Sequence, residues 1–152
     1  MENSKLEELN KLYFNLIPLF YKCKSFYIDK SKADDLCNKN QCMAIMMIGK
    51  ADKITPTTLS KLINMEKGSL TTLIDSLEDK KLVIRTNYPN DRRKVLLSLT
   101  SQGIEYMKAM EEQSQRGLAF MVANLDENEI DQMYDSLKTL VEILKKIADS
   151  TR

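Results

Sequence analysis

The stretch TPTTLSKLINMEKGSLTTLIDSLEDKKLVIRTNYPNDRRKVLLSLTSQG, residues 55–103, decides the fold. Thr55 is placed to cap a helix, and Pro56 takes the first helical position, where a missing amide proton costs nothing. Leu59, Leu62 and Ile63 follow at helical spacing and should face inward. Asn64 tolerates the left-handed conformation that a sharp turn requires. The next helix, expected over 67–80, turns Leu70, Leu73, Ile74 and Leu77 inward and leaves Ser69, Thr71, Thr72, Asp75, Ser76 and Asp79 on its other face. Two short strands are expected over 82–86 and 94–99, the second with Val95, Leu97 and Leu99 alternating with Leu96 and Ser98. The residues between them, NYPNDRR, predict a hairpin with a long polar tip rather than a tight two-residue turn.

The chain is helical on both sides of this stretch. Upstream, a helix over 39–49 has Asn38 as its N-cap and a core face of Met43, Met46 and Met47, with Ile45 and Ile48 also apolar. Residues 29–37 read as a polar connector, and 6–28 as a long helix that Pro18 should kink. Downstream, a helix starts at Thr100 or Ser101 and runs to about Val122. The last helix opens with Asp126 and Glu129 as a reciprocal cap, flanked by Leu125 and Ile130 as a hydrophobic staple. Its apolar stripe is Ile130, Met133, Tyr134, Leu137, Leu140, Val141, Leu144 and Ile147. The expected class is mainly α (α+β): a winged helix-turn-helix over 37–100, flanked by helical regions over 1–36 and 101–152.

Composition excludes much chemistry. The 152 residues are 43% apolar and 30% charged, which suits one soluble domain with a sizeable core. There is no His, which closes the Ser-His-Asp and Cys-His routes, imidazole acid/base catalysis and His-ligated zinc. Four scattered Gly build no phosphate-cradling loop. No paired carboxylates sit in an evident apolar setting, so no enzyme, cofactor or metal is implied. The opening MENSKLEELNKL lacks a basic region followed by an apolar run, and no stretch is apolar enough to span a membrane. Three Cys in such a chain read as reduced thiols in a cytoplasmic protein.

The net charge of +1 points to no partner until it is resolved along the chain. Residues 80–94 hold Lys80, Lys81, Arg85, Arg92, Arg93 and Lys94 against Asp91, a local net of +5 that leaves −4 elsewhere. A helix fits the major groove of DNA, and a hairpin tip carrying Arg reaches the adjacent minor groove, whose negative potential attracts it. A Ser/Thr face alone is what any solvated helix shows. Beside a basic hairpin it reads as a groove-facing surface.

The segment 38–103 resembles the MarR family of bacterial transcriptional regulators. NDRRKVLLSLTSQG, residues 90–103, is similar to that family's wing signature: Asp-x-Arg, a strand ending Leu-x-Leu-Thr, and Gly three residues after the Thr. Residues 54–85 match the pattern of its two helix-turn-helix helices and first wing strand, and Gln41 stands where the family often places Gln. The resemblance implies a homodimer binding a pseudo-palindromic operator, generally as a repressor. It places Lys67, Ser69, Thr71, Thr72 and Ser76 on the recognition helix, Arg93 in the minor groove, Asp91 orienting that Arg, and Arg92 and Lys94 on phosphates. Leu9, Leu16, Ile130, Leu137, Leu140 and Leu144 would form the dimer interface, since the first and last helices carry more apolar surface than a small winged helix can cover. Four residues depart from the pattern. Glu66 and Lys67 replace better capping residues, Gly68 occupies a place often held by a hydroxyl residue, and Thr72 stands where many members have Arg.

The resemblance also implies release by a small aromatic or lipophilic effector, with Phe20, Tyr27, Met43, Met47 and Met107 as candidate lining; each is equally a core residue by type. A redox alternative would use Cys23, with neighbouring Lys22 and Lys24, although buried inert thiols fit the pattern better. Cys37 and Cys42, if both helical, would point about 140° apart. The remaining alternative is a winged helix that binds protein rather than DNA.

Overall fold

In a computed structural model, the chain is described over residues 3–27, 36–88 and 91–150. The elements are α1 (Asn3–Tyr27), α2 (Lys39–Ala51), α3 (Pro56–Ile63), α4 (Lys67–Asp79), β1 (Val83–Tyr88), β2 (Asp91–Leu99), α5 (Ser101–Met121) and α6 (Glu127–Ser150). They divide into two compact units. One comprises Met1–Ile28 with Arg116–Arg152, and the other Asp29–Gln115.

Local sequence chemistry sets the element ends. Asn38 and Gln41 form a reciprocal capping box on α2, each side chain accepting the other's backbone N–H at 3.0 Å. A tight turn around Asp52, where the Lys53 N–H reaches the Ala51 carbonyl at 2.7 Å, ends that helix. Thr55 accepts the Thr58 N–H at the start of α3, with Pro56 in the first turn. Asn64 closes α3 in the left-handed conformation (φ 50°, ψ 52°), and the Ser60 hydroxyl donates to the Met65 carbonyl at 2.6 Å. These bonds fix the turn between α3 and α4. Asp126 and Glu129 cap α6 reciprocally at 2.8 and 3.0 Å. Pro18 lies inside α1, which continues past it to Tyr27.

The core of the second unit is Ala44, Ile45 and Ile48 from α2, Leu59 from α3, Leu70, Leu73, Ile74 and Leu77 from α4, and Ile54, Leu82, Val83 and Leu97 around the hairpin. β1 and β2 pair antiparallel, from Val83 opposite Leu99 to Asn87 opposite Val95. Ile54 adds a short third rung on β2, exchanging both backbone hydrogen bonds with Leu97 at 2.8 and 3.1 Å.

Four inward assignments change. On α2 the buried apolar residues are Ala44, Ile45 and Ile48, whereas Met43 is half exposed and Met46 and Met47 lie at the margin. Six apolar residues in a row, Met43 to Ile48, suit more than one face, and the three helices packed together select that of Ala44, Ile45 and Ile48. Leu62 points outward for the same reason, while Leu59 alone is fully buried on α3. The hairpin differs too. Its strands extend to Tyr88 and from Asp91, with Tyr88 opposite Asp91, so the long tip expected over 87–93 is mostly strand. A solvated two-stranded ribbon needs no apolar alternation, so its polar end reads as loop in sequence.

The junction between β2 and α5 explains the Leu-Thr-x-x-Gly pattern. Thr100 accepts the Gly103 N–H at 2.9 Å and donates to the Lys81 carbonyl at 2.6 Å. Lys81 itself takes a positive φ of 58°. A Cβ on Gly103 would lie 2.0 Å from the Leu82 carbonyl oxygen, so only glycine allows this approach of helix to strand.

In the first unit most of the described apolar positions of α1 and α6 are exposed in the single chain. Leu9, Leu16, Ile130, Leu137, Leu140 and Leu144 are all among them, and no residue of α6 is buried.

Candidate nucleic-acid interface

Helix α4 presents one exposed face. Lys67, Gly68, Ser69, Thr71 and Thr72 are all solvent-accessible, opposite buried Leu70, Leu73, Ile74 and Leu77. The Thr71 hydroxyl donates to the Lys67 carbonyl at 3.0 Å and the Thr72 hydroxyl to the Gly68 carbonyl at 3.4 Å. Both threonines therefore rest on their own helix, with lone pairs and methyl groups turned outward. Glu66, the N-cap, makes no side-chain cap bond, so its carboxylate satisfies none of the leading N–H groups of α4.

Ser76 departs from the expected face. Its hydroxyl accepts a hydrogen bond from the Gln41 carboxamide at 2.9 Å, and it is half-buried against α2. Residue 76 lies at the boundary between polar and apolar stripes, where periodicity assigns either side. Gln41 decides it. It is the buried polar residue among the described residues, and its oxygen also accepts from Lys80 Nζ at 2.9 Å. Lys80 donates further to the Leu36 carbonyl. The start of α2 and the end of α4 are thus pinned together by one carboxamide.

A second clamp holds the hairpin. Arg85 on β1 donates to Asp75 at 2.6 Å and to the Glu78 carboxylate, which also accepts the Arg85 backbone N–H at 3.0 Å. Two of the six basic residues counted toward the patch, Lys80 and Arg85, therefore have their charge engaged by partners that tie α4 to α2 and to the hairpin.

The remaining basic residues cluster at the hairpin. Asp91, Arg92, Arg93 and Lys94 all belong to β2. The register shift between Asn87 and Tyr88 leaves Arg92, Arg93 and Lys94 out of the pairing, a bulge in the strand. The side chains of Asp91, Arg92 and Arg93 lie outside the described residues. Lys94 is exposed, with Nζ 6.0 Å from the centre of the Tyr88 ring. A cleft of about 370 Å³ runs between α3, α4 and the hairpin, with Leu70 and Ile74 among its lining and Pro56, Lys67, Thr71, Arg85 and Val95 around it.

Three of the five candidate effector residues have described side chains. Met47 and Met107 pack against the winged-helix core and Met43 is exposed, while the side chains of Phe20 and Tyr27 lie outside the described residues. The Cys23 side chain likewise lies outside the described residues. Cys37 and Cys42 do not point apart as two helical residues would. Cys37 precedes the N-cap, off the helix, and the Cys42 thiol donates to its carbonyl at 3.7 Å. Burial, and then the neighbouring Cys37, push the Cys42 thiol up from its ordinary value.

Residues 37–95 match the model of the MarR family. YdgJ of Bacillus subtilis, described as an uncharacterised HTH-type transcriptional regulator, is 32% identical over 57% of this chain and 53% of its own length. The chain thus spans about half of that relative. The multiple antibiotic resistance protein MarR of Salmonella typhimurium is 31% identical over 64% of this chain and 72% of its own. Among solved structures, a mutant MarR from E. coli complexed with operator DNA superposes with a TM-score of 0.65 at 27% identity, over 88% of this chain and 95% of that one. The winged helix, its wing and a relative matched along most of its length agree, and the chain belongs to the MarR family.

Proposed function

We propose that this chain is a DNA-binding transcriptional regulator, acting in the cytoplasm as a homodimeric repressor. The observation that carries the reading is the juxtaposition, within one unit, of the exposed face of α4 and the bulged basic segment of β2. Lys67, Ser69, Thr71 and Thr72 enter the major groove, where hydroxyls and methyl groups read base edges. Arg93 enters the minor groove, Asp91 orients it, and Arg92 and Lys94 neutralise phosphates. Ser76 takes no part, being engaged by Gln41. The exposed seams of α1 and α6 support a dimer, which would present two such units to two half-sites about one helical turn apart.

Release follows from a small organic effector. The apolar cleft beside Lys67 and Thr71 supports this, because an occupant there would compete directly with DNA for the reading helix. The test is a mobility-shift assay on a duplex selected from a randomised pool. Arg93→Ala should lose at least about tenfold in affinity with the dimer intact. Unchanged binding would reject the wing assignment.

A further inference from the structure

The capping box on α2 places two thiols together. Cys37 sits at the position before the N-cap and Cys42 at the fourth helical position. Those two positions face each other across a capping box, and apolar side chains commonly meet there as a staple. Here both are cysteine. The Cys42 thiol donates to the Cys37 carbonyl at 3.7 Å, and the Tyr106 phenol on α5 neighbours both thiols. Both thiols are free and half-buried.

We propose that Cys37 and Cys42 form a reversible intramolecular disulfide, and that closing it weakens DNA binding. Rotation of two side chains brings the sulfurs together, since Cys37 precedes the helix and its side chain is not held by helical packing. The oxidant class is a low-molecular-weight disulfide. One protein thiolate attacks it and expels a first small thiolate. The other protein thiolate attacks the mixed disulfide and expels the second. The protein gives up two electrons and two protons, and both pairs end on the two departing thiols. The product is neutral, which suits a half-buried place beside a neutral phenol whose ionisation burial opposes.

The route to DNA is short. Gln41 lies next to Cys42 in the capping box and holds Ser76 and Lys80 at the C-terminal end of α4. A cross-link spanning the box shifts the carboxamide that pins the reading helix. This coupling rests on the DNA-binding reading above, whereas the disulfide itself does not.

The test incubates the reduced full-length chain with oxidised glutathione. Peptide mapping without reductant should join Cys37 to Cys42 within one chain, in the unsubstituted protein and in Cys23→Ser alike. Cys37→Ser and Cys42→Ser should each abolish the link. Affinity for a duplex selected by the reduced protein should fall at least about fivefold on oxidation and return with dithiothreitol. Glutathione adducts without an internal link, or a link between chains, would overturn the disulfide. An internal link that leaves affinity unchanged would overturn the coupling. If the reduced protein bound no duplex, the coupling and the DNA-binding reading would fall together, and the peptide map would still decide the disulfide.

Discussion

Gly103 is specified by one contact. With the Leu82 carbonyl 2.0 Å from where a Cβ would stand, alanine forces α5 away from the strand junction. Gly103→Ala should therefore cost about 2–3 kcal/mol in urea unfolding, the upper range of overpacking, because the obstacle is backbone. A cost below about 0.5 kcal/mol would show that the junction yields. Arg85 acts differently. Its ion pairs are partly exposed, so Arg85→Met should change stability by no more than about 1 kcal/mol. Its duplex affinity should nonetheless fall severalfold, because the wing loses its tether to α4. Equal affinity in an anisotropy titration would make the clamp ornamental to binding. Single residues were legible in sequence where the chemistry is local. Thr55, Asn38, Asn64 and Asp126 all stand where their capping chemistry put them. Ser76, Met43 and Leu62 were misplaced because each sits at the edge of a stripe, and only the neighbouring helix decides which way such a residue turns.

The proposed contacts of the wing and of α4 differ in their expected salt dependence. Arg92→Ala and Lys94→Ala should each flatten the dependence of log affinity on log salt by about one, the signature of a lost phosphate contact. Lys80→Met should leave that slope unchanged while lowering affinity, since Lys80 is committed to Gln41 and Leu36. A flatter slope for Lys80→Met would return it to the phosphate-binding set. Sequence counted Lys80 and Arg85 as patch charge because their partners are distant in the chain and invisible to a charge sum. The hairpin length was misread for a related reason, since backbone pairing continues through residues whose side chains look like loop. The α2–α5 contact carries a pH signature. The Cys42 thiol and the Tyr106 phenol both hold their protons more tightly when folded. Their contribution to stability is therefore full below the ordinary thiol value and declines as pH rises through and beyond it. Urea midpoints should fall between pH 8 and pH 10 by more than those of Cys42→Ala, with equal falls contradicting the assignment.

At the scale of the molecule, two long helices expose apolar seams that one chain leaves uncovered. Their periodicity was plain in the sequence, and so was the need for a cover, because a regular seam of this length is unstable against water. Leu137→Glu combined with Leu144→Glu should convert a dimer to a monomer in light scattering and abolish tight duplex binding, since one winged helix makes half the contacts. A dimer that survives both would place the interface elsewhere. The candidate effector residues were the least legible feature. They rest on the family resemblance and on residue type, and methionines serve cores and ligands alike. The most direct test of the central claim is an anisotropy titration of the unsubstituted protein against a duplex selected from a randomised pool, repeated from low to moderate salt. The account predicts saturation at two chains per duplex, with affinity falling steeply as salt rises. Failure to select or bind any duplex at low salt would contradict it.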